Sequence, residues 1–292
     1  MNHCRVLLLL MTQIISSAAL AEISTPKTDP CDPQYHYQLK RVFEVGGRQG
    51  VATEGQYYYV SGDNALFKYS KDGTLLLKNE QPFAAFKQPG QQMGDIEYYQ
   101  GSILASCTTP GKHIQIGFYD AENLKYQRAI AGAPASGQVD SSGLTVDPHH
   151  QHIWLSEWST GRYLYQYDLN SGHYLGKLQL QPVPQYQQGL LYWQDQLYIT
   201  VDDGRADEQE ADHLYRLKLH PSATAAQVRL EKVFTEFKRP GEIEGLTIDA
   251  KTQELLVLFN HGAQIVAGVA QGFYPDYDRE IHEIYVFKMT TP

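Results

Sequence analysis

Along the chain, short runs rich in Tyr, Leu, Val and Ile alternate with clusters of Gly, Asp and Asn. A helical period of about 3.6 residues hardly persists beyond two turns, so the pattern predicts strands. Residues 56–60, 152–156, 196–200 and 254–258 are such runs. Each follows a segment of turn-favouring residues, as at 53–55, 147–150, 193–195 and 249–252.

The strands recur with a period. Gln49-Gly50-Val51, Gly94-Asp95-Ile96, Ser142-Gly143-Leu144, Gln188-Gly189-Leu190 and Glu244-Gly245-Leu246 align, with their third positions 45, 48, 46 and 56 residues apart. Glycine holds the middle position in all but the second. A period of this length, with a hairpin, a third strand and a fourth strand in each repeat, predicts an all-β, five-bladed β-propeller of four-stranded blades. Six blades, one of them degenerate, is the alternative. Third strands read at 65–69, 163–167, 213–217 and 283–287, and a fourth at 174–178. The last repeat ends without a fourth strand, while residues 37–43 precede the first repeat and have no blade of their own. That N-terminal strand is predicted to complete the last blade, closing the ring and covering a sheet edge.

Residues 1–21 carry Arg5, an apolar run from Val6 to Met11 and the small-residue ending Ala19-Leu20-Ala21, the pattern of a secretory signal peptide. The expected organisation is therefore a signal peptide at 1–21, an extension at 22–36, one propeller at 37–288 and a tail at 289–292. Export to the periplasm or the medium follows, with no membrane span after cleavage. Cleavage removes Cys4, and the remaining pair, Cys31 and Cys107, is expected to form a disulfide in an oxidising compartment. The formal charge of −9 argues against a nucleic-acid partner, which favours a basic surface.

The Gln-Gly-Val, Ser-Gly-Leu, Gln-Gly-Leu and Glu-Gly-Leu starts, followed by Tyr-rich strands and turns such as Asp168-Leu169-Asn170-Ser171-Gly172, resemble secreted β-propellers. The likeness is to the group around YncE-like, NHL-repeat and SMP-30/gluconolactonase-like proteins. It implies a propeller over about residues 37–288. From the lactonase branch it implies a central divalent metal held by Glu, Asn and Asp side chains, types that Glu244 and Asn260 match.

In a propeller, the loops leading into the innermost strands and those leaving the second strands open on one face. The first group brings Gln49, Asp95, Asp140, Ser142, Gln188, Glu242 and Glu244 there. The second brings Asp63, Cys107, Glu157, Asp202, Asp203, Asn260 and His261. Carboxylates crowded together repel, and a hard cation such as Ca²⁺ relieves this. Glu244, Asp95, Glu157, Asp202 and Asn260 are the expected metal ligands, and Gln49, Ser142 and Gln188 the expected ligand contacts. Residues 260–280 form an unusually long connection, expected to act as a lid carrying Tyr274 and Arg279. Two functions follow. One is a binding protein for a small molecule or peptide. The other is a metal-dependent lactonase or esterase with His261 or Asp202 as base. His149, His150 and His152 fall on the opposite face and read as a surface turn. The common nucleophile-elbow, zinc-helix and phosphate-loop motifs are absent from the sequence.

Overall fold

A computed structural model describes residues 33–86, 92–109, 113–158, 160–202, 211–220, 222–238, 240–266 and 269–291. The expected signal peptide, Cys31 and Asp203 lie outside the described residues.

The chain opens with β1 (His36–Val45) and then builds blade one from β2 (Gly50–Thr53), β3 (Tyr57–Gly62), β4 (Ala65–Ser70) and β5 (Leu75–Asn79). Blade two is β6 (Gln92–Tyr99), β7 (Ser102–Thr109), β8 (His113–Asp120) and β9 (Tyr126–Ala131). Blade three is β10 (Leu144–Asp147), β11 (His152–Leu155), β12 (Tyr163–Asp168) and β13 (Tyr174–Gln181). Blade four is β14 (Gln187–Trp193), β15 (Gln196–Val201), β16 (His213–Lys218) and, after the short β17 (Ala225–Gln227), β18 (Arg229–Val233). β17 joins the edge of blade three in parallel with β13. Blade five is β19 (Gly241–Asp249), β20 (Glu254–His261) and, after a ribbon of β21 (Ala263–Val266) and β22 (Val269–Phe273), β23 (Ile281–Thr290).

Five blades, not six, are present. β1 pairs antiparallel with β23 from His36–Thr290 to Val45–His282, so the N-terminal strand closes the ring. The innermost strands β2, β6, β10, β14 and β19 are neighbours around the axis. Their side chains are buried on both faces, as in β2 and β19, whereas the outer β5 and β13 keep exposed positions. Flat blades radiating from an axis are sandwiched near the centre and splay apart at the rim, which explains the gradient. Apolar layers fill the spaces between blades; between blades two and three, for example, Leu104 and Ile116 meet Leu144 and Leu155.

The closing strand is held by more than its ladder. Glu231 in β18 is buried, and its carboxylate accepts from the backbone N–H of Gln34 at 2.9 Å and of Tyr35 at 3.2 Å, from Tyr37 Oη at 2.8 Å and from Arg216 Nε at 2.6 Å. The blade-four edge thus clasps the chain just where it becomes β1.

Candidate functional site

The repeated glycines converge on the propeller axis. A Cβ on Gly50 would lie 2.7 Å from Asp95 Cα, one on Gly189 2.7 Å from Gly245 Cα, and one on Gly245 2.3 Å from Asp95 Oδ1. Only backbone fits there. Asp95, the single non-glycine of the series, places its carboxyl in the space that the glycines leave. Its Oδ1 accepts from Ile96 N at 2.9 Å, and its Oδ2 accepts from Leu190 N at 3.0 Å and Leu144 N at 3.4 Å. Three blades are tied to one side chain. Burial pushes the Asp95 carboxyl well above the usual carboxylate range, against the opposing pull of the three N–H groups.

Above this plug the acids surround a guanidinium. Arg48 lies 3.1 Å from Glu242, 3.1 Å from Glu280, 3.8 Å from Glu244 and 3.9 Å from Asp63. Burial opposes its charge, but Glu244, Glu280, Glu242 and Asp63 together hold its pKa above the ordinary arginine value. Burial pushes Glu244 well above the carboxylate range, with Arg48 opposing and Glu242, Asp202 and Glu280 adding to the rise. Asn260 Nδ2 donates to Glu244 Oε1 at 2.8 Å and to the Arg48 carbonyl at 2.9 Å. Its Oδ1 accepts from His282 Nδ1 at 2.9 Å, and His282 Nε2 faces Glu280 at 3.8 Å. These contacts make an open circuit from Glu280 through Arg48, Glu244 and Asn260 to His282.

Within this circuit His282 is held neutral, its pKa lowered to about 4 by burial and then by Arg48. Its ordinary value is 6.5, so the unfolded chain binds its proton first as pH falls. The stability it contributes is present above about pH 6.5 and lost between there and about pH 4. His282→Gln is expected to flatten this part of the urea-midpoint profile; a profile with unchanged slope counts against the assignment.

The five expected metal ligands do not converge. Asp95 is engaged by peptide N–H groups, Glu244 by Asn260 and Arg48, and Asp202 by Gln188 Nε2 at 2.5 Å. Glu157 accepts from Thr160 Oγ1 and from Val139 N at 3.3 Å. Among the described residues no group of three or more His, Cys, Asp or Glu is arranged to hold a metal ion. A bound Ca²⁺ needs six to eight oxygen ligands free to turn toward it, and this donor set does not fit. Charge relief comes instead from Arg48, which adjoins the Gln49 triplet and was not among the expected site residues.

His261 and Asp202 do not form a pair. Alternate residues of a strand face opposite sides, so Asn260 turns toward Arg48 while His261 turns to the other face of blade five. There its Nε2 is 3.2 Å from Glu283, which also accepts from Lys238 Nζ at 2.9 Å and Tyr285 Oη at 3.1 Å. Within 260–280, Ala263–Val266 and Val269–Phe273 pair as the β21–β22 ribbon. Arg279 pairs with Glu44 at 2.7 Å on the open surface, and Tyr274 N donates to the Gly262 carbonyl. Neither residue is among those that line the mouth cavity. Cys107 is fully buried in the apolar layer with Met93 and Tyr119, and burial pushes its thiol up to about 12.

What the mouth does contain is a polar cavity of about 260 Å³. All five blades contribute. Gln49, Asp140, Ser142, Gln188, Glu242 and Glu244, all expected on this face from the sequence, line it together with Arg48, Gln92, Thr108 and Ser141. Trp158, tilted against Tyr186 at 5.2 Å, supplies an aromatic wall. Its backbone N–H donates to Asp140 Oδ1 at 2.7 Å, which fixes the loop that presents it. Trp158 directly follows Glu157, so its position after the second strand was a readable signal.

No protein-family model matches the chain, and no curated protein matches it significantly. Among solved structures the fold is similar to Kuenenia stuttgartiensis hydrazine synthase, with a TM-score of 0.46 and 6% identity over 75% of this chain and 57% of that one. It is also similar to U3-55K, with a TM-score of 0.49 and 10% identity over 85% of this chain and 98% of that one. The chain thus spans little more than half of the first of these. At such similarity neither likeness bears on function; the propeller is established by its own strand pairing.

Proposed function

We propose that this chain is an exported β-propeller binding protein that captures a small polyhydroxylated ligand, of monosaccharide size, in the cavity at its channel mouth. Residues 1–21 support export, and the repeats resemble those of secreted propellers. The observation that carries the reading is the cavity itself. Carboxamides, hydroxyls and carboxylates from all five blades converge around one indole. A sugar presents hydroxyls that both donate and accept, which such a lining matches, and a C–H face that an aromatic ring covers. Arg48 fixes the orientation of Glu242 and keeps the crowded acids from repelling one another.

The lactonase reading requires an open metal position and a base beside it. Here the carboxylates are engaged by Arg48, Asn260, Gln188 and peptide N–H groups, and His261 lies on the far side of its strand. The metal-dependent route has no support in this arrangement. A disulfide between Cys31 and Cys107 would require the N-terminal segment to reach a fully buried sulfur.

Calorimetric titration of the mature protein with a panel of hexoses and pentoses tests the proposal. At least one is expected to bind, and Trp158→Ala or Glu242→Gln to weaken that binding about tenfold or more, about 1.4 kcal/mol. The idea is lost if no sugar binds up to about 10 mM, the weak end of specific affinity. It is lost equally if both variants bind as the wild type does.

A further inference from the structure

On the face opposite the mouth, the hairpin of blade three and the end of β16 in blade four border a second cavity of about 320 Å³. That volume falls at the lower end of the range of small-molecule sites, about 300 to 1,000 Å³. Its walls are apolar where they meet the inter-blade layer, at Trp154, Leu178 and Leu219. Of the three histidines of the blade-three turn, His150 and His152 line it.

The polar groups of this cleft divide unequally. Its acids are engaged. Asp147 is buried and accepts from the backbone N–H of His149 at 3.0 Å and of His150 at 3.1 Å, and its other oxygen meets the His150 ring at 2.7 Å. Asp195 accepts from Tyr192 Oη at 2.7 Å.

Three of its donor-bearing side chains, Trp154, Lys218 and His220, meet no acceptor among the described residues. Trp154 is only 6% exposed, yet its buried Nε1–H has no hydrogen-bond partner. Buried donors are almost always paired, so an orphan beside a cavity points to something that completes it. Gln166 Nε2 donates to His152 Nδ1 at 2.7 Å, which leaves the neutral ring with its proton on Nε2. Lys218 and His220 stand at the rim with no acid paired to them among the described residues.

We propose that this inter-blade cleft is a second ligand site, taking a small carboxylate that carries an aromatic or apolar body. The body lies on Trp154 and Leu178, and the carboxylate meets Lys218 and His220 at the rim. One of its oxygens accepts from the Trp154 indole, satisfying the donor that the fold leaves orphaned. A neutral or cationic head would find only engaged acids and surplus donors. The site shares no residue with the mouth cavity and stands independently of the proposed sugar binding.

The test is NMR titration of the mature protein with phenylacetate, cinnamate and indole-3-acetate, following the indole Nε1–H signals of Trp154, Trp158 and Trp193. Phenylacetamide and acetate serve as controls. At least one aromatic carboxylate is expected to shift the Trp154 signal with a Kd of about 1 mM or tighter. Lys218→Gln or His220→Gln, both at the exposed rim, is expected to weaken this about tenfold. Trp154→Phe keeps the wall and removes the donor; should it fail to fold, the two rim variants still decide. The proposal is overturned if no carboxylate moves the Trp154 signal up to about 10 mM, if phenylacetamide binds as tightly as phenylacetate, or if both rim variants bind unchanged.

Discussion

Replacing Asp95 with Ala is expected to destabilise the propeller by about 4 kcal/mol or more, the largest effect foreseen for any single side chain near the axis. The reason is positional. Asp95 is 1% exposed and accepts N–H groups from Ile96, Leu144 and Leu190, which belong to three different blades. Truncation leaves buried donors unmet, at about 1 to 3 kcal/mol each, and opens a void where the inner strands meet. Asp95→Asn should lose less, because its amide oxygen can still accept from Leu190 and Leu144 while only Ile96 N is left facing the NH2 group. The pH dependence follows. A carboxyl whose pKa is raised on folding favours the fold below its unfolded value, and that contribution is lost as pH rises through the folded pKa. Gly245→Ala is the complementary change, since the new methyl would sit 2.3 Å from Asp95 Oδ1 and 2.7 Å from Gly50 Cα. Chemical unfolding of the three variants decides the matter. A wild-type midpoint for Asp95→Ala would show that the axis does not depend on this carboxyl.

Loss of the clasp at Glu231 is expected to rank next. Glu231→Ala removes the shared acceptor of Gln34 N, Tyr35 N, Tyr37 Oη and Arg216 Nε, and the expected cost is about 3 kcal/mol or more. Its consequence differs in kind from that of the axial change. β1 supplies the outer strand of blade five, so weakening its anchor frees the strand that closes the ring. Limited proteolysis should therefore cut between residues 33 and 45 in Glu231→Ala well before it cuts the wild type. Glu231→Gln, which keeps the shape and one acceptor oxygen, should fall between them. If the variant unfolds at the wild-type temperature and resists the protease equally, closure depends on the β1–β23 ladder alone.

The mouth shows where reading by residue type succeeds and where it stops. Gln49, Ser142, Gln188 and Glu244 could be assigned to one cavity because each holds the same place in its repeat, and equivalent places in a propeller meet at the axis. The same reasoning assigned Asp95 to a metal site. It could see a carboxylate in line with the others, but not that this position alone faces the backbone N–H groups of its neighbours. Arg48 was overlooked because its partners are remote, Glu280 being 232 residues away. Arg48 sets one positive charge among four of the acids on that face.

At residues 260–280 the limit is a different one. Length and composition of 260–280 read as a functional loop, yet Ala263–Val266 and Val269–Phe273 pair as a ribbon, and Arg279 turns to Glu44 on the surface. Direction is a property of the packed hairpin. The histidine turn of blade three went the opposite way, from a surface feature to one wall of a cleft, because its other wall comes from blade four.

The sequence by itself determined the strands, the repeat of four-stranded blades and the closing role of residues 37–43, because alternation, turn residues and repeat spacing are local or periodic and need no knowledge of contacts; five blades over six was settled by the strand pairing. Only the tertiary structure decided which charges meet. The pairing of Arg48 with four acids, the seating of Asp95 on three blades, the clasp at Glu231 and the orphaned Trp154 indole all depend on groups far apart in the chain. Hydrogen bonds and ion pairs act over a few ångströms, and that proximity exists only once the ring has closed.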